Sequence, residues 1–249
     1  MRRITAGLAS LLILATGSIS AVVEDISATV HNLATYSNPA QGGTDQVCVF
    51  CHTPHGSNSG FSGAPLWNKP IDPNISFQVY GGGSTTAGTP VGQPGDTSRA
   101  CLSCHDGVSG VNVIINMPGS GGYDPNGTYL DYRGGTQPWR MPFPFAVGKN
   151  GSGGNNDLRD DHPVGVVYNA PNADTKLNPA SLKPTSTAIT GWNVSGDPDG
   201  SGGPSIGDLL RNGKVECVSC HNPHLNAPRF LRSGDGNSFS NLCMTCHDK

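Results

Sequence analysis

The chain has little of what an ordinary protein core is made from. Hydrophobic residues make up 35% of its 249 positions and aromatic residues 6%, while 35 residues are Gly and 20 are Pro. Gly brings no side chain to an interior and loses the most freedom on ordering. The polypeptide alone therefore cannot assemble a conventional apolar core. Charge is also scarce, at 13%, and has no positive excess: the net charge is −3. That excludes nucleic acid as a partner, since its binding needs a basic face. No apolar run after Gly17 is long enough to span a bilayer. No βαβ pattern frames any Cys pair, which excludes thioredoxin-like redox chemistry.

Met1-Arg2-Arg3 is a short basic stretch, Ile4 to Gly17 is apolar, and Ser18, Ser20 and Ala21 are small. This order reads residues 1–20 as a signal peptide, leaving residues 21–249 as one exported unit. No Cys lies near the expected cleavage point, so attachment through a lipoprotein Cys is not expected. Loss of Arg2 and Arg3 takes the formal charge from −3 to −5.

Eight Cys in an exported chain suggest a disulfide framework, but their spacing rejects it. Every one belongs to a C-x-x-C-H run: Cys48, Cys51 and His52; Cys101, Cys104 and His105; Cys217, Cys220 and His221; Cys243, Cys246 and His247. These are motifs 1 to 4 below. The pattern is the attachment signature of c-type haem. Two thioethers hold the vinyl side of the porphyrin, and the next residue delivers an imidazole to the iron. Structural zinc favours paired Cys knuckles and has no reason to demand His after each. Four covalent haems would also supply the missing interior, because each is a large, flat, apolar body.

With His52, His105, His221 and His247 proximal, four of the eight His remain: His31, His55, His162 and His224. Four irons each need a sixth ligand, so the numbers match. His on both sides gives lower potentials than a His/Met pair; Met117 and Met141 are the available substitutes. His55 and His224 each follow a proximal His by three residues, as His-Thr-Pro-His and His-Asn-Pro-His. Such a ring cannot pass around the porphyrin to the far face of its own iron. It reaches a different haem and so forces two porphyrins close together. We expect His55 on the second iron and His224 on the fourth. Asp161 is placed to orient His162.

C-x-x-C-H-x-P-H followed by C-x-x-C-H-D occurs twice, giving a first pair of motifs over 48–105 and a second over 217–247. A Gly- and Asn-rich region, 106–216, connects them. Val111–Ile115 and Val164–Tyr168 are expected as short strands, and Ser205–Arg211 as a short helix. The expected fold class is a multihaem cytochrome c: a haem-cored, mostly irregular chain with short α-helices at the haem motifs and a few short β-strands.

Cys48-Val-Phe-Cys51-His52-Thr-Pro-His55-Gly56, Ala64-Pro65-Leu66-Trp67-Asn68, Cys101-Leu-Ser-Cys104-His105-Asp106-Gly107 and Leu210-Arg211-Asn212-Gly213-Lys214-Val215-Glu216-Cys217 resemble the multihaem cytochromes of metal-reducing bacteria. The likeness is to the OmcE-type tetrahaem cytochromes and their OmcS-type hexahaem relatives, over about His31 to His247. The resemblance implies an electron-transfer protein rather than an enzyme. It implies four c-type haems and end-to-end polymerisation into an extracellular conducting filament. Its expected partners are copies of itself, other multihaem cytochromes and extracellular electron acceptors. It also implies that an N-terminal His ligates a haem of the neighbouring subunit, and His31 is the position that fits. The residues alone leave His31 free to fold back onto its own chain. A soluble periplasmic shuttle is then the alternative. A multihaem oxyanion reductase would need an iron with an open position, and the His count leaves none.

Overall fold

A computed structural model of the chain describes residues 24–61, 63–70, 74–82, 89, 91–119, 121–135, 137–142, 145–147, 156–162, 164–168, 182–192, 203–233 and 239–247. The expected signal peptide, 1–20, lies outside the described residues. What is described is mostly turns and irregular chain with short regular elements, as the composition implies.

The longest helix is α1, Asp96–His105, which carries motif 2 at its C-terminal end; Asp96 in its first turn complements the helix dipole. Helix α2, Ile206–Leu209, is opened by a reciprocal capping box between Ser205 and Asp208. Helix α3, Cys217–Cys220, carries motif 3, and α4, Phe239–Cys246, carries motif 4. Motif 1 departs from expectation, since residues 47–51 form turns rather than a helix. Motif 3 has Glu216 and Ser219 to form a capping box. Motif 1 has Val47 and Phe50 at the matching positions, and neither can cap.

Strand β1, Val113–Asn116, pairs antiparallel with β2, Tyr123–Tyr129, setting Val113 opposite Tyr129 and Ile114 opposite Thr128, with a bulge before Asn116 meets Tyr123. The sequence did not suggest β2, because Asp124-Pro125-Asn126-Gly127 reads as a turn. Gly127 makes the pairing possible: its φ is +92°, and a Cβ there would lie 2.4 Å from Val113 Cγ1. Strand β3, Val166–Val167, pairs antiparallel with β4, Lys214–Val215, bringing the connecting region against the chain just before motif 3.

Domains of this length usually have one contiguous apolar core. Here the described residues form four small clusters, and each lies at a motif. Val49, Phe50, Ile114, Leu130 and Tyr132 pack around Cys51. Ile206, Leu209, Ile189 and Tyr168 pack around Cys246. Phe61, Ala64 and Ala100 meet against Trp67, between motifs 1 and 2. Phe77 and Leu158 cover Leu102 inside motif 2.

Buried polar side chains tie these clusters together. Asn68 and Asn112 are fully buried and bond to backbone groups of distant segments. Lys69, 1% exposed, is satisfied by the carbonyls of Gly110, Val111 and Val113. Glu216, 2% exposed, joins α1 to α3: its carboxylate accepts from Gly95 N and from Ser98 Oγ, and the same hydroxyl accepts from Cys217 N. Burial, the largest influence, raises its pKa above the usual 4.5, against its hydrogen bonds. The folded protein therefore holds this proton more tightly than the unfolded chain, and stability falls as pH rises above 4.5 through the raised value. Glu216→Gln should remove that slope from the denaturation midpoint. Glu216→Ala, which strands the Gly95 and Ser98 donors, should cost about 3 kcal/mol at neutral pH. A pH slope unchanged in the Gln variant would defeat the assignment.

Candidate haem centres

Motifs 1 and 3 are built alike. In motif 1, His52 Nδ1 lies 2.8 Å from the Pro65 carbonyl. The next residue, Thr53, donates its N–H to Leu66 O, His52 bridges Trp67, and Asn68 N donates to Cys51 O. In motif 3, His221 Nδ1 lies 2.9 Å from Arg229 O. Asn222 N donates to Phe230 O, His221 bridges Leu231, and Arg232 N donates to Cys220 O. His52 and His221 are thus each clasped by a returning stretch of chain in the same hydrogen-bond order. Aiming those carbonyls takes an unusual backbone. Leu66, Arg229 and Phe230 are non-Gly residues with φ of 57°, 56° and 58°, each costing about 1–2 kcal/mol. Such strain persists only where neighbouring structure enforces it.

In motif 2, His105 Nδ1 lies 2.9 Å from Phe145 O. Motif 4 keeps two members of the clasp: Leu182 bridges His247, and Lys183 N donates to Cys246 O at 2.9 Å. Tyr168 Oη and Lys183 Nζ add donors to Cys246 O and Met244 O.

A ring whose Nδ1–H is spent on a carbonyl has its lone pair on Nε2, in the tautomer and orientation a metal ligand requires. This holds for His52, His105 and His221. His31 joins them: its Nδ1 is 3.4 Å from Pro223 O, and its ring stacks on Phe230 at 4.2 Å. Burial first, then the neighbouring His105, lowers its pKa to about 4, so it is a neutral imidazole at physiological pH. Burial likewise lowers that of His221.

The rings also meet in pairs. His52 and His224 have centroids 6.3 Å apart, and His31 and His105 6.1 Å apart. Among the described residues, no three His, Cys, Asp or Glu side chains converge to hold a metal by themselves. Facing pairs are what a metal already held by four porphyrin nitrogens needs.

Residues 210–249 match the family described as the doubled CXXCH motif. No curated protein matches the chain. The doubled motif implies covalently bound c-type haem and an electron carrier of the multihaem cytochrome kind.

The residues present fit c-type haem. All eight Cys are free thiols in the polypeptide, open to thioether attachment. Burial, their largest influence, pushes Cys51 up to about 12, Cys220 up to about 11 and Cys246 above its usual value. Thiols held protonated in this way are poor thiolate ligands and poor redox nucleophiles. Cys101 and Cys217 share a hydrogen bond, so the attachment points of motifs 2 and 3 are adjacent. Beside His52, the buried indole Nε1–H of Trp67 has no hydrogen-bond partner among the described residues, a donor suited to a propionate carboxylate. Leu66 and Phe145, next to and at the anchoring carbonyls, are 50% and 65% exposed. They are apolar surface for a flat apolar ring to cover.

His55 and His162 are exposed. The His55 carbonyl accepts from Thr53 Oγ1 and Asn116 Nδ2, and Tyr80 Oη donates to the Asp161 carbonyl beside His162. His224, which we expected on the fourth iron, faces the His52 ring with centroids 6.3 Å apart. The three-residue link limits how far its ring can travel but not in which direction. Sequence reasoning missed the anchors Pro65, Phe145, Arg229 and Pro223 altogether. They act through backbone carbonyls, which any residue supplies, at offsets of 13, 40, 8 and 192 residues from His52, His105, His221 and His31. The one signal to be had was Pro65-Leu66-Trp67-Asn68, part of the resemblance quoted above.

Proposed function

We propose that this chain is an exported electron-transfer protein carrying four c-type haems, each iron held between two His. It serves as the repeating subunit of an extracellular conducting filament. The observation that carries the electron-transfer reading is the anchoring of the His31, His52, His105 and His221 rings through Nδ1 to backbone carbonyls, with His52 facing His224 and His31 facing His105. When bound, the haems supply a one-electron couple. One electron enters from another multihaem cytochrome and one leaves to an extracellular acceptor such as a mineral or electrode, with no bond made or broken. Six-coordinate irons leave no position for a substrate, which argues against an oxyanion reductase. The test is spectroscopy of the holoprotein: four low-spin bis-His irons per chain are expected, and a high-spin ferric iron would defeat the reading.

A second reading, a monomeric periplasmic shuttle, is favoured by one observation. The N-terminal arm folds onto its own chain: Glu24 bridges Leu225 and accepts from Asn222 Nδ2, and His31 reaches Pro223, Phe230 and His105. The same contacts made by a neighbour's arm would link copies end to end by exchange. Electron microscopy of secreted material separates the two: helical filaments support the polymer, and dispersed particles alone support the shuttle. His31→Ala should abolish filaments and leave three irons six-coordinate. In a shuttle it changes one haem's spectrum and nothing else. No described helix is long and apolar enough to cross a membrane.

A further inference from the structure

Two imidazoles on opposite sides of one metal have a predictable separation. With a metal–nitrogen bond of about 2.0 Å and a ring nitrogen about 1.1 Å from its centroid, the centroids stand about 6.2 Å apart. The observed separations, 6.3 Å for His52 with His224 and 6.1 Å for His31 with His105, match that span. Direct stacking does not explain them, because stacked rings sit closer, as His31 and Phe230 do at 4.2 Å. The interplanar angles of 20° and 64° are both compatible. Each ring plane contains its own nitrogen–metal line, about which it is free to turn.

We propose that His52 and His224 are the two axial ligands of the motif 1 iron, and that His105 and His31 are those of the motif 2 iron. This rests on the haem reading above and adds a wiring order to it. His224 stands three residues after His221, the proximal ligand of motif 3. A close haem couple therefore joins motifs 1 and 3, across the two halves of the chain. Motif 2 is drawn to the same place. Its distal ligand His31 is held by Pro223 O, between His221 and His224, and by the Phe230 ring in the clasp of His221. The Cys101–Cys217 hydrogen bond sets the attachment edges of motifs 2 and 3 side by side. The segment His221–His224 is thus the junction through which charge passes between motifs 1 and 2, with motif 3 central. His55 and His162 are left for the irons of motifs 3 and 4.

The test uses the holoprotein and electron paramagnetic resonance. His224→Met should convert one of the bis-His irons to a His/Met iron of raised potential. In a Cys48→Ala, Cys51→Ala background, which lacks the motif 1 haem, the same substitution should leave the spectrum unchanged. His31→Met should behave the same way against Cys101→Ala, Cys104→Ala. A His/Met iron appearing in the background that lacks the assigned haem overturns the pairing. A high-resolution structure of the wild-type holoprotein reads the same pairing with no variant. An iron between His52 and His224 supports it; His224 opposite any other proximal His overturns it. A mass-based count below four haems per wild-type chain defeats the functional reading instead, so the two failures are distinguishable.

Discussion

Made without haem attachment, the chain is expected to have no cooperative fold. With all eight Cys replaced by Ser, or in cells lacking the haem-attachment machinery, the polypeptide should show a flat near-ultraviolet circular dichroism spectrum. It should give no sigmoidal melt and be digested rapidly by protease. The haem-loaded protein should melt in one transition. The reason lies in how the core is divided. Its apolar clusters are small, separate and gathered at the motifs. Ordering each residue costs roughly 1–2 kcal/mol of backbone entropy, and buried apolar area must offset it. Leu66 and Phe145 stand exposed beside the anchored imidazoles, so part of the apolar surface has nothing to pack on until a porphyrin arrives. In the proposed tetrahaem protein the covalent attachments would also tie positions 48 to 246 to rigid bodies, which restricts the unfolded chain as well. A Ser-substituted protein that melted cooperatively near the wild-type temperature would mean the polypeptide carries its own core.

The parts of the centres legible in the sequence were those that covalent chemistry dictates. A thioether pair and an adjacent imidazole require Cys and His at fixed spacing, so motifs 1 to 4 stand out whatever the surrounding fold. Short strands near Val113 and Val166 and the α2 helix after Ser205 could also be read, because β-branched runs and a capping box act locally. Three kinds of feature could not. The clasps are made by backbone carbonyls, and their distance along the chain varies because loops of any length can return to one point. Strand β2 hides its pairing in sequence: Asp124 to Gly127 favour a turn and fall in the register break between Tyr123 and Thr128, the residues that pair with β1. The facing of His rings is long-range, since His52 and His224 are brought together only by the folding of everything between them. The identical clasp at motifs 1 and 3 was half visible as C-x-x-C-H-x-P-H. Its returning half, Pro65–Asn68 against Arg229–Arg232, shares geometry without sharing sequence.

Asn68→Ala should be among the most destabilising single substitutions outside the haem ligands, at about 3–5 kcal/mol. The residue is fully buried. Its amide Nδ2 donates to Val49 O at 2.7 Å and to Asn116 O at 3.1 Å, and its Oδ1 accepts from Asn116 N at 2.9 Å. Its own backbone N–H closes the clasp on Cys51. One side chain therefore fastens motif 1 to β1 and takes the carbonyl of Val49, one of the two residues between Cys48 and Cys51. Truncation leaves two carbonyls and one N–H buried without partners, each costing about 1–3 kcal/mol, with the sum reduced by local relaxation. Asn68→Asp separates this account from a simple loss of packing. A carboxylate has nearly the same shape, but it turns the donor aimed at Val49 O and Asn116 O into an acceptor. It should therefore cost at least as much as Ala. Chemical denaturation of the holoproteins measures both, and visible absorption reports whether the His52 haem loosens first. If Asp were tolerated better than Ala, shape rather than hydrogen bonding would be what Asn68 contributes.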